Sequence, residues 1–349
     1  MIPIRKAGGL FVLAFIAAIS SGCASYVGKR IIEAPNIEGG QATGPKQLDG
    51  FWANGVEKHI FAERIDIESS VDGASLTTFV LPAGDYAHEY SFEMPDAGSA
   101  RMNFHVWFND GPQRPATGSV LLLHGWQSSY RQMFFHSLAL ADHGWDVYLA
   151  DLRGHGHSGG DYVGFGVLEK TDIRQLVQRI RRDPEFTGPL AVVGASLGGA
   201  VALMAAANEP AIDAVAAIAP YADLKQMLPG GVRIMAPGYM RPWLGEKKLE
   251  KALVIAEQTA KVDLDRAAPI LTAGEVTQPV LLIHGRPDRF VPLDHSERLN
   301  ERLPNSRLEV IEDRGHIPLM LDRDAVLEPL MPWLEELRTS PGHVALPRP

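Results

Sequence analysis

From Ser119 onward, short apolar runs alternate with longer stretches of helical periodicity, and this alternation restricts the fold most. The runs are apolar at consecutive positions, as in parallel strands that helices cover on both faces. They occupy residues 120–123, 147–150, 190–193, 215–218, 280–283 and 308–311. We therefore predict an α/β fold, with a mostly parallel sheet and helices on both of its faces.

The alternation also divides the chain. Residues 118–220 and 279–340 form the predicted core. Residues 221–278 interrupt the rhythm with several methionines, prolines and a charged helical pattern, and they are too long for a simple loop. We interpret them as a helical insertion that forms a lid over the strand ends. The alternative is an insertion that only packs on the core.

Before the core, residues 51–117 are predicted to be rich in β-strands. Patches of strand-like alternation separated by turn residues are clearest at 75–80, 89–92 and 103–108. We expect these segments to be antiparallel strands that lead into the core sheet.

The N-terminus has the layout of an export signal. A short basic region at Arg5 and Lys6 precedes an uncharged, mostly apolar run over residues 7–19. The small residues before Cys23 resemble a bacterial lipoprotein signal, although Ser20 stands where an aliphatic residue is usual. We predict a signal peptide over 1–22, lipidation of Cys23 and a tether over 23–50. The protein would then be exported and held in a bacterial cell envelope by a lipid anchor in the membrane.

Two alternatives remain for this segment. A plain signal peptide cut near Ala24 would leave a periplasmic or secreted protein. The apolar run is shorter than the roughly 20 residues that span a bilayer, so a permanent membrane helix is disfavoured.

Charge and cysteine content exclude several functions. The 349-residue chain carries a formal net charge of −9, and nucleic-acid binding needs a basic surface. A nucleic-acid partner is therefore not expected. Cys23 is the single cysteine, so an intramolecular disulfide framework and a cysteine-based zinc site are excluded.

The clearest chemical motif is Gly194-x-Ser196-x-Gly198, which follows an apolar run and precedes a helix of small residues. A sharp strand-to-helix turn exposes the serine oxygen, and the flanking glycines allow the strand and the helix to approach. Ser196 is therefore the candidate nucleophile. The alternative is a glycine-rich turn with only a structural role.

A serine nucleophile needs a general base. His316 follows the last predicted strand, where that base is expected, whereas His124, His284, His155 and His157 follow earlier strands. We predict that His316 is the base. His124 and His284 each end a strand before a glycine, and both are candidates for structural groups near the site.

The base in turn needs a carboxylate that fixes its tautomer. Asp288 lies just past the next-to-last strand. The three residues then follow the chain order serine, acid, histidine, which is the order required when the serine lies on a strand-to-helix turn of the kind predicted at Ser196. Asp223 is the rival, with a helix N-cap as its simpler interpretation. For the oxyanion, we predict backbone donors at Leu197, after the nucleophile, and at Trp126, after the first core strand.

One motif points elsewhere. Gly154-x-Gly156-x-x-Gly159 follows a strand and has the spacing of a dinucleotide site. No clear helix opens at its third glycine, and the chain has no Gly-Lys-Ser/Thr phosphate loop. We therefore predict neither an organic cofactor nor a metal.

These motifs together resemble the α/β-hydrolase superfamily, and within it the monoacylglycerol-lipase-like and serine-aminopeptidase-like group. The resemblance covers about residues 118–338 and rests on these segments: Leu-His-Gly-Trp at 123–126, Asp-x-Arg-Gly-x-Gly-x-Ser at 151–158, Gly-x-Ser-x-Gly at 194–198, Asp-Arg-Phe-Val-Pro at 288–292, and Gly315-His316. It implies a sheet of eight strands with a lid after the sixth. Ser196, Asp288, His316, Trp126 and Leu197 all fall on the family's motif positions.

The expected activity is that of a serine hydrolase that cleaves carboxylic esters through an acyl-enzyme. The expected substrate is a small-molecule ester, acyl or lipid-like. A peptidase or amidase of the same fold is one alternative. A surface protein that keeps the fold but only binds a partner is the other.

Overall fold

The computed structural model of the protein describes residues 2–3, 24–35, 51–96, 99–107, 114–235 and 245–339. Besides a two-residue strand at Ile2–Pro3, its strands are β1 (Glu63–Glu68), β2 (Ser75–Leu81), β3 (His88–Asp96), β4 (Ser99–Val106), β5 (Gly118–Leu123), β6 (Trp145–Ala150), β7 (Leu190–Ala195), β8 (Ala214–Ile218), β9 (Val280–Gly285) and β10 (Ser306–Ile311). Eight of them form one sheet in the order β10-β9-β8-β7-β5-β6-β2-β1. The pairs from β10 to β6 are parallel, and β2 and β1 are antiparallel additions at one edge.

The helices are α1 (Ala24–Ile32), α2 (Phe134–Asp142), α3 (Glu169–Arg181), α4 (Leu197–Ala206), α5 (Leu224–Met235), α6 (Glu246–Ala260), α7 (Asp294–Arg302), α8 (His316–Leu321) and α9 (Arg323–Thr339). Short helical turns occupy Phe51–Val56, Glu57–His59, Tyr130–Met133, Leu264–Arg266, Pro269–Leu271 and Ala273–Glu275. Of the helices in the described ranges, none is long and apolar enough to cross a membrane.

Helices cover both faces of the sheet, and strand β5 illustrates the effect. Leu121 and Leu123 pack into one apolar cluster with α3, α4 and α7, whereas Val120 and Leu122 pack into a second cluster with α2 and α9. Because successive side chains of a strand point to opposite faces, both sets must be apolar. The predicted fold is confirmed, including the eight strands and the mostly parallel order.

The N-terminal strands divide into two groups. The predicted strand 75–80 is β2, which joins the core sheet beside β6, as expected. The predicted strands 89–92 and 103–108 belong to β3 and β4, which pair with each other and with Ile2–Pro3 in a separate sheet. The prediction that they lead into the core sheet is wrong, and β4 already ends at Val106.

The helical insertion follows β8, which is the sixth strand of the eight-stranded sheet along the chain. Its helices α5 and α6 bury apolar residues in the same cluster as α3 and α4, Leu228 and Leu249 among them. The insertion therefore packs on one face of the core. Residues 236–244 of the predicted lid, with Met240 and Trp243, lie outside the described residues.

Helix α1 lies against the insertion. Val27 and Ile31 of α1 are buried in the same cluster as Leu249 of α6. The chain then continues along the loop after β6, where the Val163 N–H donates to the Ile32 carbonyl at 2.8 Å. Residues 24–35 are thus folded, in contrast to the predicted tether. Cys23, residues 36–50 and most of the predicted signal peptide lie outside the described residues.

Candidate active site

Ser196 occupies the turn between β7 and α4. Its backbone adopts φ 52° and ψ −111°, in the left-handed half of φ space that non-glycine residues rarely use. Such a conformation costs on the order of 1–3 kcal/mol and persists only where the surroundings impose it. Here the Ser196 N–H donates to the Ile218 carbonyl of β8 at 2.7 Å. The turn is therefore fixed to the neighbouring strand.

The glycines on either side of Ser196 are required by close backbone contacts. A Cβ at Gly194 would lie 2.2 Å from the Gly198 carbonyl carbon and oxygen, and a Cβ at Gly198 would lie 2.4 Å from the Leu123 carbonyl oxygen. Any side chain at these positions would push α4 away from β7 and β5. The glycines thus allow the approach that the motif predicted.

Three side chains form a continuous hydrogen-bonded chain. His316 Nε2 lies 3.0 Å from Ser196 Oγ, and His316 Nδ1 lies 2.6 Å from Asp288 Oδ2. Because an ionised carboxylate only accepts, His316 Nδ1 carries the hydrogen, and Nε2 is left to accept the serine proton. All three side chains are buried, at 7%, 6% and 5% exposure for Ser196, His316 and Asp288. A proton can therefore pass between these side chains without contact with bulk water.

Asp288 is held as an anion. Its Oδ1 accepts the backbone N–H groups of Phe290 at 2.8 Å and Val291 at 2.9 Å. Burial raises the pKa of Asp288, but hydrogen bonds from His284 and His316 and the electrostatic attraction of these two side chains outweigh burial and lower the pKa to about 2. His316 is the nearer partner, since His284 Nε2 lies 3.5 Å from Asp288 Oδ2. A charged carboxylate is therefore available to orient His316 at neutral pH.

The rival acid has another role. Asp223 Oδ1 accepts the Gln226 N–H at 3.0 Å at the start of α5, which is an N-cap contact. The rival histidines are also engaged elsewhere. His284 Nε2 donates to the Val291 carbonyl at 2.9 Å, and His157 Nδ1 bonds to the Asp151 carboxylate at 3.1 Å. The structure brings Asp288 and His316, rather than these residues, to Ser196.

Both predicted oxyanion donors lie on segments that adjoin Ser196. Leu197 is the first residue of α4, so its N–H belongs to the first turn, which has no acceptor within the helix. The loop after β5 passes close by, since the Cβ of Ser196 lies 3.5 Å from the position that a Cβ on Gly125 would take. No acceptor for the Trp126 backbone N–H occurs among the described residues. Both N–H groups therefore lack an acceptor in the described part of the chain, on segments next to Ser196.

The Trp126 side chain packs into the core cluster, with its ring centroid 5.7 Å from that of Phe165. Its indole N–H is buried and has no acceptor in the part of the chain that the structure describes. The side chain therefore fills space beside the loop.

Two residues beside the site were not found from the sequence. Gln132 Oε1 accepts the Gly125 N–H at 2.6 Å, which fixes the start of the loop after β5. The ring of Phe290 lies 4.9 Å from the ring of His316, centroid to centroid. A Cβ at Gly231 of α5 would lie 3.0 Å from Phe290. Phe290 thus lies between the insertion and His316, a contact that no local motif indicates.

The glycine-rich loop after β6 does not form an open phosphate cradle. Its interior is filled by the carboxylate of Asp151, which accepts the backbone N–H groups of Tyr130 and His157 at 2.7 Å each. A Cβ at Gly156 would lie 2.1 Å from that carboxylate. The glycines therefore allow the backbone to pack closely around a buried aspartate carboxylate. This loop does not support the interpretation as a dinucleotide site.

Comparison with solved structures identifies the fold. An esterase from Pyrococcus furiosus superimposes with a TM-score of 0.54 at 22% identity, over 79% of this chain and 90% of the other. The chain has the α/β-hydrolase fold. The chain also matches the family model described as serine aminopeptidase, S33, over residues 114–274. The match includes Ser196 and ends before Asp288.

Sequence relatives of the chain are distant. An uncharacterized protein of Bacillus subtilis, YqkD, is 24% identical over 256 residues, which are 72% of this chain and 75% of the relative. A monoacylglycerol lipase of Mycolicibacterium smegmatis is 27% identical over 246 residues, which are 62% of this chain and 84% of the relative. Family model, relatives and fold together support a hydrolase.

Proposed function

We propose that this α/β-hydrolase is a serine hydrolase that cleaves carboxylic esters through an acyl-enzyme. The observation that carries the proposal is the chain of hydrogen bonds from Ser196 Oγ through His316 to Asp288, with 3.0 and 2.6 Å between the heavy atoms. Nucleophile, base and orienting acid are within hydrogen-bond distance of one another, which is the geometric requirement for nucleophilic catalysis by serine.

In the first step, Ser196 Oγ attacks the ester carbonyl carbon while His316 Nε2 takes the hydroxyl proton. The negative charge that develops on the carbonyl oxygen is stabilised by the N–H groups of Trp126 and Leu197. A single donor of this kind contributes roughly 10²–10³ in rate. The positive charge on His316 is stabilised by Asp288. The C–O bond of the ester then breaks, and the alcohol leaves with the proton from His316.

In the second step, the acyl group is bonded to Ser196 Oγ. His316 Nε2 takes a proton from a water molecule, which attacks the acyl carbonyl at the same N–H donors. The bond to Ser196 breaks, the carboxylic acid leaves, and His316 returns the proton to Ser196.

A lipid-like acyl ester is the proposed substrate class. The relative named monoacylglycerol lipase and the fold neighbour named esterase support esters over other acyl compounds. We also propose that Cys23 carries a lipid anchor in an exported protein, as the N-terminal sequence indicates. An anchor would keep the enzyme beside membrane lipids and their esters.

An aminopeptidase or amidase is the second candidate, favoured by the family model described as serine aminopeptidase. The same three residues would attack an amide carbonyl, with an amine as the leaving group. Rates of hydrolysis on p-nitrophenyl esters and on aminoacyl p-nitroanilides separate the two activities.

The test uses the full chain purified in detergent and a p-nitrophenyl ester series from short to long acyl chains. We expect turnover that Ser196→Ala abolishes and that a serine-directed phosphonate blocks. Ser119→Ala is the matched control, because the Ser119 hydroxyl is buried and has no hydrogen-bond partner within the described ranges. A wild-type protein that shows neither ester turnover nor phosphonate labelling would overturn the catalytic proposal. Labelling without ester turnover would direct attention to amides.

A further inference from the structure

The loop that carries the Trp126 N–H is in a strained conformation. Gln127 has φ 58°, a left-handed value for a residue with a side chain. A backbone of this kind needs outside contacts to keep it in place. Those contacts determine where the Trp126 N–H points, because the peptide groups on both sides of Trp126 set its orientation.

His155 holds the peptide group after Trp126. Its Nε2 lies 3.1 Å from the backbone N of Gln127, and its Nδ1 lies 2.8 Å from the Arg153 carbonyl oxygen. A carbonyl oxygen only accepts, so Nδ1 carries the hydrogen and Nε2 accepts the Gln127 N–H. Burial lowers the pKa of His155 to about 3, and nearby His124 adds to this shift. The acceptor therefore persists at neutral and mildly acidic pH.

His124 holds the peptide group before Trp126. Its Nε2 accepts the Leu152 N–H at 3.0 Å, so its Nδ1 carries the hydrogen and donates to the Gly125 carbonyl oxygen at 2.8 Å. That oxygen belongs to the same peptide group as the Trp126 N–H. In a trans peptide the two bonds point in opposite directions, so a held C=O directs the N–H the other way.

The two histidines are buried together, with ring centroids 5.1 Å apart and no more than 1% exposure. Of the charged groups facing them, Asp151 is the nearest, 4.0 Å from His124 Nε2, and its carboxylate is already engaged by Tyr130 and His157. Neither histidine lies in the hydrogen-bonded chain from Ser196 to Asp288. Their contacts therefore serve the loop rather than the proton transfer.

We propose that His155, together with His124, is a positioning residue that directs the Trp126 N–H toward the oxyanion of the reaction. The inference rests on the proposed serine esterase function. It assigns the first histidine of the glycine-rich loop after β6 a task in transition-state stabilisation, exerted through the Gln127 backbone. A displaced donor should weaken binding of the transition state more than binding of the ester.

The experiment compares His155→Leu, which removes the acceptor, with His155→Gln, whose amide oxygen can accept the same N–H. Active sites are counted by phosphonate titration in the full-length protein, so unfolded molecules do not contribute. We measure kcat and KM on the best p-nitrophenyl ester and the inhibition constant of a trifluoromethyl ketone of matching chain length. Such a ketone binds to serine as an anionic hemiketal and depends on the oxyanion donors.

We expect His155→Leu to lower kcat per titrated site roughly 10- to 100-fold, with KM changed less than about threefold, because small displacements at a reacting centre have effects of this size. The inhibition constant of the ketone should rise by a similar factor. His155→Gln should recover kcat to within about threefold of the wild type.

Unchanged kcat per site in His155→Leu would overturn the inference. So would a folded His155→Gln that is as impaired as His155→Leu. If His155→Leu does not fold, His155→Gln alone decides, through its kcat and its ketone affinity. Failure of the proposed esterase function can be distinguished from failure of the inference about His155. In that case the wild type itself would neither hydrolyse esters nor be labelled by the phosphonate.

Discussion

Gly28 of α1 lies against the backbone of Ala252 in α6, so closely that a Cβ at residue 28 would come within 2.3 Å of the Ala252 carbonyl oxygen. The same Cβ would lie 3.1 Å from the Cβ of Ile255. This contact joins the helix that follows Cys23 to the insertion that follows β8. Only a glycine allows the two helices to approach in this way.

Gly28→Ala should therefore destabilise the protein. Alanine favours a helix by about 1 kcal/mol over glycine, but separating packed helices costs about 1–3 kcal/mol. We expect a net loss of about 1 kcal/mol, seen as a lower urea midpoint with unchanged slope. Gly230→Ala is the control, because Gly230 of α5 has no atom within 4 Å of its added Cβ. That control should be neutral or stabilising, and equal midpoints for the two variants would contradict the expected clash.

Gly231→Ala should affect catalysis. The new Cβ would meet the Phe290 ring at 3.0 Å, and this ring packs 4.9 Å from the ring of His316. A displaced Phe290 should shift His316 and lower kcat by roughly tenfold, since errors of about 1 Å near the reacting atoms cost up to about 10². Ester turnover per titrated site measures the effect. The adjacent Gly230→Ala should retain wild-type turnover, and an equal loss in both would point to the helix rather than to Phe290.

Asp288→Asn should leave the geometry largely intact but reverse the tautomer of His316. An amide can donate to Nδ1, which places the hydrogen on Nε2, where it blocks acceptance of the serine proton. We expect kcat to fall about 10⁴-fold with little change in KM. Asp223→Asn, at the N-cap of α5, is the comparison and should keep its activity. A large loss in Asp223→Asn alone would reverse the assignment of the acid.

Asp288 should also make stability depend on pH. Its pKa is lowered from 3.8 to about 2 in the folded protein, so the folded state favours the ionised form. The resulting stabilisation is fully present above pH 4 and is lost as the pH falls through the folded pKa. The shift corresponds to about 2 kcal/mol. Urea unfolding of the wild type and of Asp288→Asn, measured from pH 5 to pH 2, gives the free energy of unfolding of each protein. The difference between the two free energies should shrink by this amount as the pH falls. A difference that stays constant would exclude the linkage.

The apolar runs allowed the core sheet to be predicted because each core strand is covered on both faces, which leaves a local signature. The edge strand β1 has no such signature. Among Glu63–Glu68, Ile65 alone is buried, and charged residues occupy most of the other positions. The pairing of β3 with β4 in a separate sheet could not be predicted either. The alternation of side chains identifies a strand, but it does not show which other strand pairs with it.

The meeting of Ser196, His316 and Asp288 could be predicted because the chain order and the ends of strands place them at one edge of a parallel sheet. Helix α1 was missed even though Val27, Ile31 and Ile32 lie at helical spacing, because its glycine and the polar residues after it favoured a tether. The contact of His155 with Gln127 depends on two loops that meet only in the folded chain, 28 residues apart.

Ser196 and His316 follow strands of the sheet that differ in how well they are protected from local unfolding. Ser196 follows β7, which is bonded to β5 and β8 in the middle of the sheet. His316 follows β10, a partly exposed strand that, among the described residues, is bonded to β9 alone. Fraying of a sheet begins at its edges. On warming, His316 should therefore lose its alignment while the turn at Ser196 remains folded, so inactivation would begin as a local and reversible event before the molecule melts.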